Sequence, residues 1–298
     1  MTILLALLLD RLFGEPPARL HPVVWMGRYL GWAGSRLPEL APVLSFVAGA
    51  ACWLGGALLV VCLAAAAAMA LAAAPAWVRV PALALLLKPL FALRLLLDEV
   101  AATEAALAEG LDAGRARLAR IVSRDTGALS AGEVRESALE SLAENLSDSL
   151  VAPLFWFVLL GLPGAALYRF ANTADAMWGY RGRWEWAGKF AARADDVLSF
   201  VPARLTALAL LGARALRFAG LAALLREARR TASPNAGWPM AAMALALGVR
   251  MGKPGVYLLN AAGLVPGPSD LRRGLQRAAL AGTGLALLAA AGEVAAHG

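Results

Sequence analysis

From Leu40 to Val78 the chain carries no charged side chain. One helix needs only about 20 apolar residues to cross the hydrocarbon of a bilayer, so this stretch exceeds a single span. With no water in the hydrocarbon, the backbone must satisfy itself, and helices do so within one segment. The stretch reads as a long membrane helix over Val43–Ala74, followed by a turn punctuated by Pro75 and Pro81. Leu83–Leu97 reads as a returning span with Lys88 and Arg94 near its ends, giving a hairpin whose two feet share one side. Further apolar runs cover Val151–Tyr168, Leu205–Ala213, Ala236–Val249 and Ala278–Gly292. The chain of 298 residues is 60% hydrophobic and 16% charged, against roughly 45–50% and about 25% in soluble domains. The expectation is an all-α, multi-pass integral membrane protein, a single domain over 1–298, with its polar helices and loops on the cytoplasmic side.

The beginning of the chain does not read as a cleaved leader. Its apolar run, Ile3–Leu9, is short, and "DRLFGEPPARLHP" stands where a small-residue cleavage site belongs. A net charge of +7 raises the question of nucleic acid. The arginines sit between apolar segments with no nucleic-acid motif around them, so positive-inside placement and anionic substrates account for the excess. Cys52 and Cys62 lie inside the uncharged stretch and read as small apolar residues. The two histidines, His21 and His297, are too few for a histidine metal cluster, and no G-x-S-x-G marks a serine nucleophile.

Between the apolar runs lie polar segments that can carry chemistry. Ser123–Ser130, "SRDTGALS", reads as a loop, and "SAGE" at Ser130–Glu133 fits a capping box opening a helix. Along that helix Glu136, Glu140, Glu144 and Asp148 recur every four residues, with Leu139, Leu142, Leu146 and Leu150 on the opposite face. A charge run of this kind is usually a solvated face. Like charges at that spacing repel by roughly 0.2–0.5 kcal/mol per pair, which a divalent cation or cationic partner would reverse. Asn145 and Ser147 add neutral oxygens of the type Mg²⁺ accepts.

Two more segments stand out. Val151–Tyr168 is interrupted by "GLPG" at Gly161–Gly164, and a polar block with Arg181, Arg183, Lys189 and Arg193 follows. A full crossing would put that block outside, against the positive-inside rule, so a re-entrant segment is expected. Within the block, Asn172 and Asp175 share a face, whereas the adjacent Asp195 and Asp196 diverge in a helix. Tyr180, Arg181, Arg193 and Arg204 are suited to phosphate or carboxylate, although anionic lipid would equally engage a juxtamembrane basic loop. "SPNAGWP" at Ser233–Pro239 reads as caps and turn formers, or as an anion-binding helix start. "GVRMGKP" at Gly248–Pro254 lacks the spacing and the Ser/Thr of a P-loop.

Six ordered motifs then add up: "DRLFGEPPARLHPVVWMG", "RDTGALS", "ESLAENLSDSLVAPLFW", "YRFANTADAMWGYR", "AARADDVLSFVPARLTAL" and "SPNAGWPMAAMALALGVR". Over nearly its whole length the chain resembles the adenosylcobinamide-phosphate synthase family, the CobD/CbiB membrane proteins of cobalamin biosynthesis. It departs from that family at Met240, where a glutamate is usual, at Thr231–Ala232, where a histidine is usual, and at Ser147 and Ser149.

The resemblance implies ATP-dependent joining of aminopropanol, or its O-phosphate, to a propionate carboxylate of adenosylcobyric acid, at the inner membrane. It implies Mg²⁺ and ATP as cofactors, and other membrane enzymes of nucleotide-loop assembly as partners besides the bilayer; no nucleic acid is expected. Glu140, Glu144 and Asp148 are the candidate metal ligands, with Asp195, Asp196 and Glu144 the candidate catalytic groups. Candidate substrate-binding residues are His21, Arg124, Asp125, Asn145, Asn172, Asp175, Tyr180, Arg181, Arg193, Arg204, Ser233 and Asn235. The rivals are a transporter, which would place its charges near the bilayer midplane, and a Mg²⁺-dependent transferase acting on a lipid diphosphate.

Overall fold

In the computed structural model, which describes residues 1–297, helices dominate. In chain order they are α1 (Thr2–Phe13), α2 (Pro22–Gly34), α3 (Pro42–Ala72), α4 (Ala76–Leu87), α5 (Leu93–Glu109), α6 (Leu111–Leu118), α7 (Ala131–Leu146), α8 (Ala152–Trp178), α9 (Lys189–Leu198), α10 (Phe200–Leu211), α11 (Phe218–Ala228), α12 (Gly237–Leu247) and α13 (Pro268–His297). A β-hairpin, β1 (Met251–Lys253) with β2 (Tyr257–Leu259), separates α12 from α13.

The uncharged stretch forms α3, which starts with Pro42 at its first turn and ends before Pro75. At about 1.5 Å per residue it is ~46 Å long, longer than the ~30 Å hydrocarbon core. Only 11% of its most apolar window is buried, so its leucines face outward as a lipid-facing helix requires. By length and composition four helical stretches can cross a membrane: Pro42–Ala72, Ala76–Glu109, Ala131–Trp178 and Pro268–Ala295. A bent pair, Lys189–Leu198 with Phe200–Leu216, raises this to five if it is one span. The chain is therefore an all-α membrane protein, as its composition implied.

One turn lies elsewhere than expected. Pro75 caps α4, but Pro81 sits inside that helix, where membrane packing tolerates the lost hydrogen bond. The real interruption comes later, at the 3₁₀ turn Lys88–Leu90.

The chain groups into two compact units, neither of which is continuous in sequence. The first comprises Met1–Ala92, Ala152–Ser199 and the chain from residue 286 on. Its aromatic centre joins Trp53, Phe170 and Phe190, with ring centroids 5.8 and 5.2 Å from Trp53. The orphan N–H groups opening α1 are capped by Glu293, which accepts from Thr2 N at 2.8 Å and Ile3 N at 3.0 Å.

Within this unit α8 is a hairpin. Gly161 has φ 64° and ψ −155°, a region essentially restricted to glycine. Trp156 Nε1 donates to Leu198 O at 3.0 Å, and Tyr168 Oη shares a hydrogen bond with Ser199 Oγ, also at 3.0 Å. Twelve residues of straight helix would set Trp156 and Tyr168 ~18 Å apart, so their sharing of neighbouring partners shows that the chain doubles back. Gly164 fits at the fold because a Cβ there would lie 2.4 Å from Trp156 O. The "GLPG" segment thus returns on itself.

The second unit comprises Leu93–Val151 and Phe200–Leu285. Leu139, Leu142, Leu146 and Leu150 are completely buried at its centre. Arg135 binds Glu104 through two hydrogen bonds of 2.8 Å, a bidentate fork that ties α7 to α5. Between α7 and α8 the helix widens into a π-turn over Ser147–Val151, a feature frequent at functional sites.

Candidate functional site

The expected capping box forms at the start of α7. Ser130 accepts from Glu133 N at 3.4 Å, and Glu133 accepts from Ser130 N at 2.8 Å. Beyond it, the acid row is not a solvated face. Glu136 is 3% and Glu140 is 2% exposed. Cations do sit against both, and they belong to the chain itself. Arg124 Nη2 donates to Glu140 at 2.9 Å while its Nη1 donates to Ser137 Oγ at 3.1 Å. Arg250 Nε donates to Glu136 at 3.1 Å. Helix α7 is therefore buried on the side read as polar as well as along its leucines, and ion pairing makes that possible.

This arrangement divides the candidate metal ligands. Glu140 is committed to Arg124, whereas Glu144 and Asp148 are half-buried, four residues apart around the start of the π-turn. Among the described residues no three His, Cys, Asp or Glu side chains gather as a metal cage. Mg²⁺ takes one or two carboxylates and fills its octahedron with water and substrate phosphate, and the pair Glu144 and Asp148 fits that lesser requirement. Asn145 Nδ2 donates to Ser141 O and Oγ at 2.9 and 3.2 Å, so its amide nitrogen serves the helix. Asp125 shapes the preceding loop, its Oδ1 accepting from Gly127 N at 2.9 Å.

Tyr257, on β2, stands beside Glu140. Burial raises its pKa above the ordinary phenolic value, and the Glu140 charge raises it further, so the hydroxyl keeps its proton. The strands meet in a tight turn, with Val256 N donating to Lys253 O at 2.9 Å and Gly255 at φ 72°. Pro254 then Gly255 is the sequence of a type II turn. Neither Arg250 nor Tyr257 emerged from the sequence reading. "GVRMGKP" was visible only as a failed P-loop, although its Lys-Pro-Gly was a turn signal.

At the entry to α12, "SPNAGWP" folds around an arginine. Ser233 Oγ accepts from Asn235 N and Ala236 N at 3.2 and 3.1 Å, the turn-forming role. Asn235 Oδ1 accepts from Arg204 Nη1 at 2.6 Å, and Pro234 O accepts from its Nη2 at 3.1 Å. The Arg204 guanidinium also stacks between Phe200, at 3.6 Å, and Trp238, at 4.7 Å. Arg204 therefore spends most of its donors on its own chain.

In the first unit, the second arm of α8 and the helix α9 bring Asn172, Asp175, Asp195 and Asp196 together. Asp175 and Asp196 lie close enough to Asp195 to act on it electrostatically. Asp195 accepts from Ser199 Oγ at 3.4 Å and, weakly, from Asn172 Nδ2 at 3.5 Å. Asp196 also pairs with Arg193, 3.6 Å away, while staying within electrostatic reach of Asp175 and Asp195. Among the described residues no ion pair engages Asp175 or Asp195. Tyr180, Arg181 and Arg193 are exposed.

His21 belongs to a buried charge network in the same unit. Its Nδ1 accepts from Val23 N at 3.3 Å, capping α2, which places the ring proton on Nε2, 3.0 Å from Glu15. Lys88 bridges Glu15 at 2.8 Å and Asp10 at 3.0 Å. Burial alone would raise the Glu15 pKa, but His21 and Lys88 outweigh it and hold the carboxyl below its ordinary value.

The geometry can be set beside known proteins. The family model described as CobD/Cbib protein matches residues 3–277. The chain is 43% identical over 281 residues to the probable cobalamin biosynthesis protein CobD of Thermococcus kodakarensis, covering 92% of this chain and 88% of that one. It is 41% identical over 285 residues to the cobalamin biosynthesis protein CobD of Rhodobacter capsulatus, covering 90% and 88%. The probable CobD of Methanothermobacter thermautotrophicus is 40% identical over 265 residues, covering 87% and 86%. No solved structure matches the chain. A match of this extent along a multi-pass helical scaffold settles the assignment: the chain belongs to the CobD/CbiB family of cobalamin biosynthesis proteins.

Proposed function

We propose that this protein is an adenosylcobinamide-phosphate synthase, an ATP-dependent ligase that joins a propionate carboxylate of adenosylcobyric acid to the amine of aminopropanol or its O-phosphate. The observation that carries this reading is the family match over residues 3–277. A carboxylate is a poor acyl donor. Its oxygen attacks the γ-phosphorus of ATP, ADP leaves, and an acyl phosphate forms. The amine lone pair then attacks the acyl carbon, inorganic phosphate departs, and a base takes the nitrogen's proton.

The chain supplies groups suited to these tasks. Asp195, which has no cationic partner among the described residues, is the base, with Asp175 and Asp196 adding negative charge that favours an ammonium beside it. Exposed Arg181 and Arg193 offer bidentate donors for phosphate. Glu144 and Asp148 are the residues that would hold Mg²⁺, which when bound neutralises charge on ATP phosphates. By this reading the reaction takes place on the cytoplasmic side of the inner membrane, where ATP is available.

The test is to incubate purified protein with adenosylcobyric acid, aminopropanol phosphate, ATP and Mg²⁺, and to follow products by mass spectrometry. An amide product that depends on ATP supports the reading. Transport of unmodified corrinoid, with no amide formed, rejects it.

A further inference from the structure

A cavity of about 430 Å³ opens between the β1–β2 hairpin and the first turns of α7, lined by Glu133, Glu136, Arg250, Lys253, Val256 and Tyr257 among others. Two acids and two bases face it, but they are not equally available. Glu133 is engaged in the capping box, its Oε2 accepting from Ser130 N at 2.8 Å and Ser130 Oγ at 2.7 Å. Glu136, nearly fully buried, is engaged with Arg250. The bases keep donors to spare. Arg250 is held through Nε alone, and among the described residues its two terminal nitrogens have no protein partner. Lys253 is exposed and makes no ion pair among the described residues.

Arg250 is thus fixed in direction by a buried carboxylate while its outer edge stays open, and a turn of defined type presents Lys253 beside it. A pinned guanidinium with two parallel N–H donors, next to an ammonium, matches a phosphate group. The cavity is large enough to admit more than the phosphate itself. We propose that the hairpin cavity is a phosphate-binding site, in which Arg250 and Lys253 hold the phosphate of a substrate. The inference rests on the ligase reading, which offers two sources of that phosphate, the phosphorylated amine and ATP. If the source is the amine, the cavity decides between phosphorylated and free aminopropanol.

The experiment uses the full-length protein in detergent, with Lys253→Met and Arg250→Lys beside the wild type. Aminopropanol phosphate and ATP are titrated separately by calorimetry. Losing a charge-assisted hydrogen bond should weaken the affected ligand by roughly tenfold in each variant, with an unchanged melting temperature for Lys253→Met. Weakening of aminopropanol phosphate alone assigns the site to the amine's phosphate, and weakening of ATP alone assigns it to the nucleotide. In the first case Lys253→Met narrows the preference for aminopropanol phosphate over free aminopropanol, read as the ratio of their KM values. Unchanged affinity for both ligands in both variants, or no binding of either ligand to the wild type, overturns the site. Amide formation by a wild type whose variants bind normally would remove this site and leave the ligase reading standing. Loss of phosphate binding in the variants, with no amide formed by the wild type, would do the reverse.

Discussion

Arg124, in the loop before α7, reaches the buried carboxylate of Glu140 with a separation of 2.9 Å. Removing one partner of such a pair strands the other as an uncompensated charge, at a cost of about 3–5 kcal/mol. Arg124→Met should lower stability by that order. Adding Glu140→Gln in the same background should restore much of the loss. A double-mutant cycle of denaturation in detergent checks this, and simple additivity of the two changes would show that the pair is not coupled.

Gly161 should resist substitution for a backbone reason. A Cβ there would meet only Pro163 Cδ at 3.8 Å, an ordinary contact, so space is not the obstacle. Its φ of 64° with ψ −155° lies in a region essentially restricted to glycine, and forcing alanine into it costs about 1–3 kcal/mol. Gly161→Ala should therefore lower the melting temperature. Gly182, at φ 79°, would resist a side chain for the same reason, whereas Arg183→Cys, at an exposed site after the hairpin, should stay near wild type. Cysteine labelling at 183, in a background lacking Cys52 and Cys62, then reports which side the basic block occupies. Labelling by an impermeant reagent in intact cells would contradict the cytoplasmic placement.

Much of this was legible in the sequence. The length of α3 follows from an uncharged run, the α7 capping box from Ser130 and Glu133, and the α8 fold-back from "GLPG", because each signal is local. The environment of the acid row was not legible. Glu136 meets Arg250 across 114 positions of sequence, and helical periodicity cannot tell a water-facing acid from one facing a distant arginine. Ser233 could be read as a turn former from its neighbours alone, but the capture of Arg204 by Asn235 needed the folded chain. Pro81 misled because proline ends helices in water more strictly than beside a membrane.

Glu15 gives the protein an acid-sensitive element. Its carboxyl is held below the ordinary value of 4.5. A depressed folded pKa means stability that is present above the unfolded value and lost as pH falls through the folded one. Stability should therefore decline below a pH of about 4.5, and Glu15→Gln should remove the part of that decline due to this group. Melting curves across the acid range compare the two proteins; identical acid limbs would show that Glu15 contributes nothing to it.

The two acids around the π-turn should report on Mg²⁺. Glu144→Gln and Asp148→Asn are expected to raise the Mg²⁺ concentration required for half-maximal activity while the protein inserts normally in the membrane. An unchanged Mg²⁺ requirement in both variants would remove any metal-binding role from these residues.

In the proposed reaction the propionate carboxylate is activated by ATP before the amine attacks. Adenosylcobyric acid carrying a heavy-oxygen label in that carboxylate tests it most directly. Attack of the carboxylate on the γ-phosphorus moves one of its oxygens to the phosphate that later leaves, so labelled inorganic phosphate should appear in step with the amide product. Amide formed with unlabelled phosphate, or formed without ATP, would contradict the account.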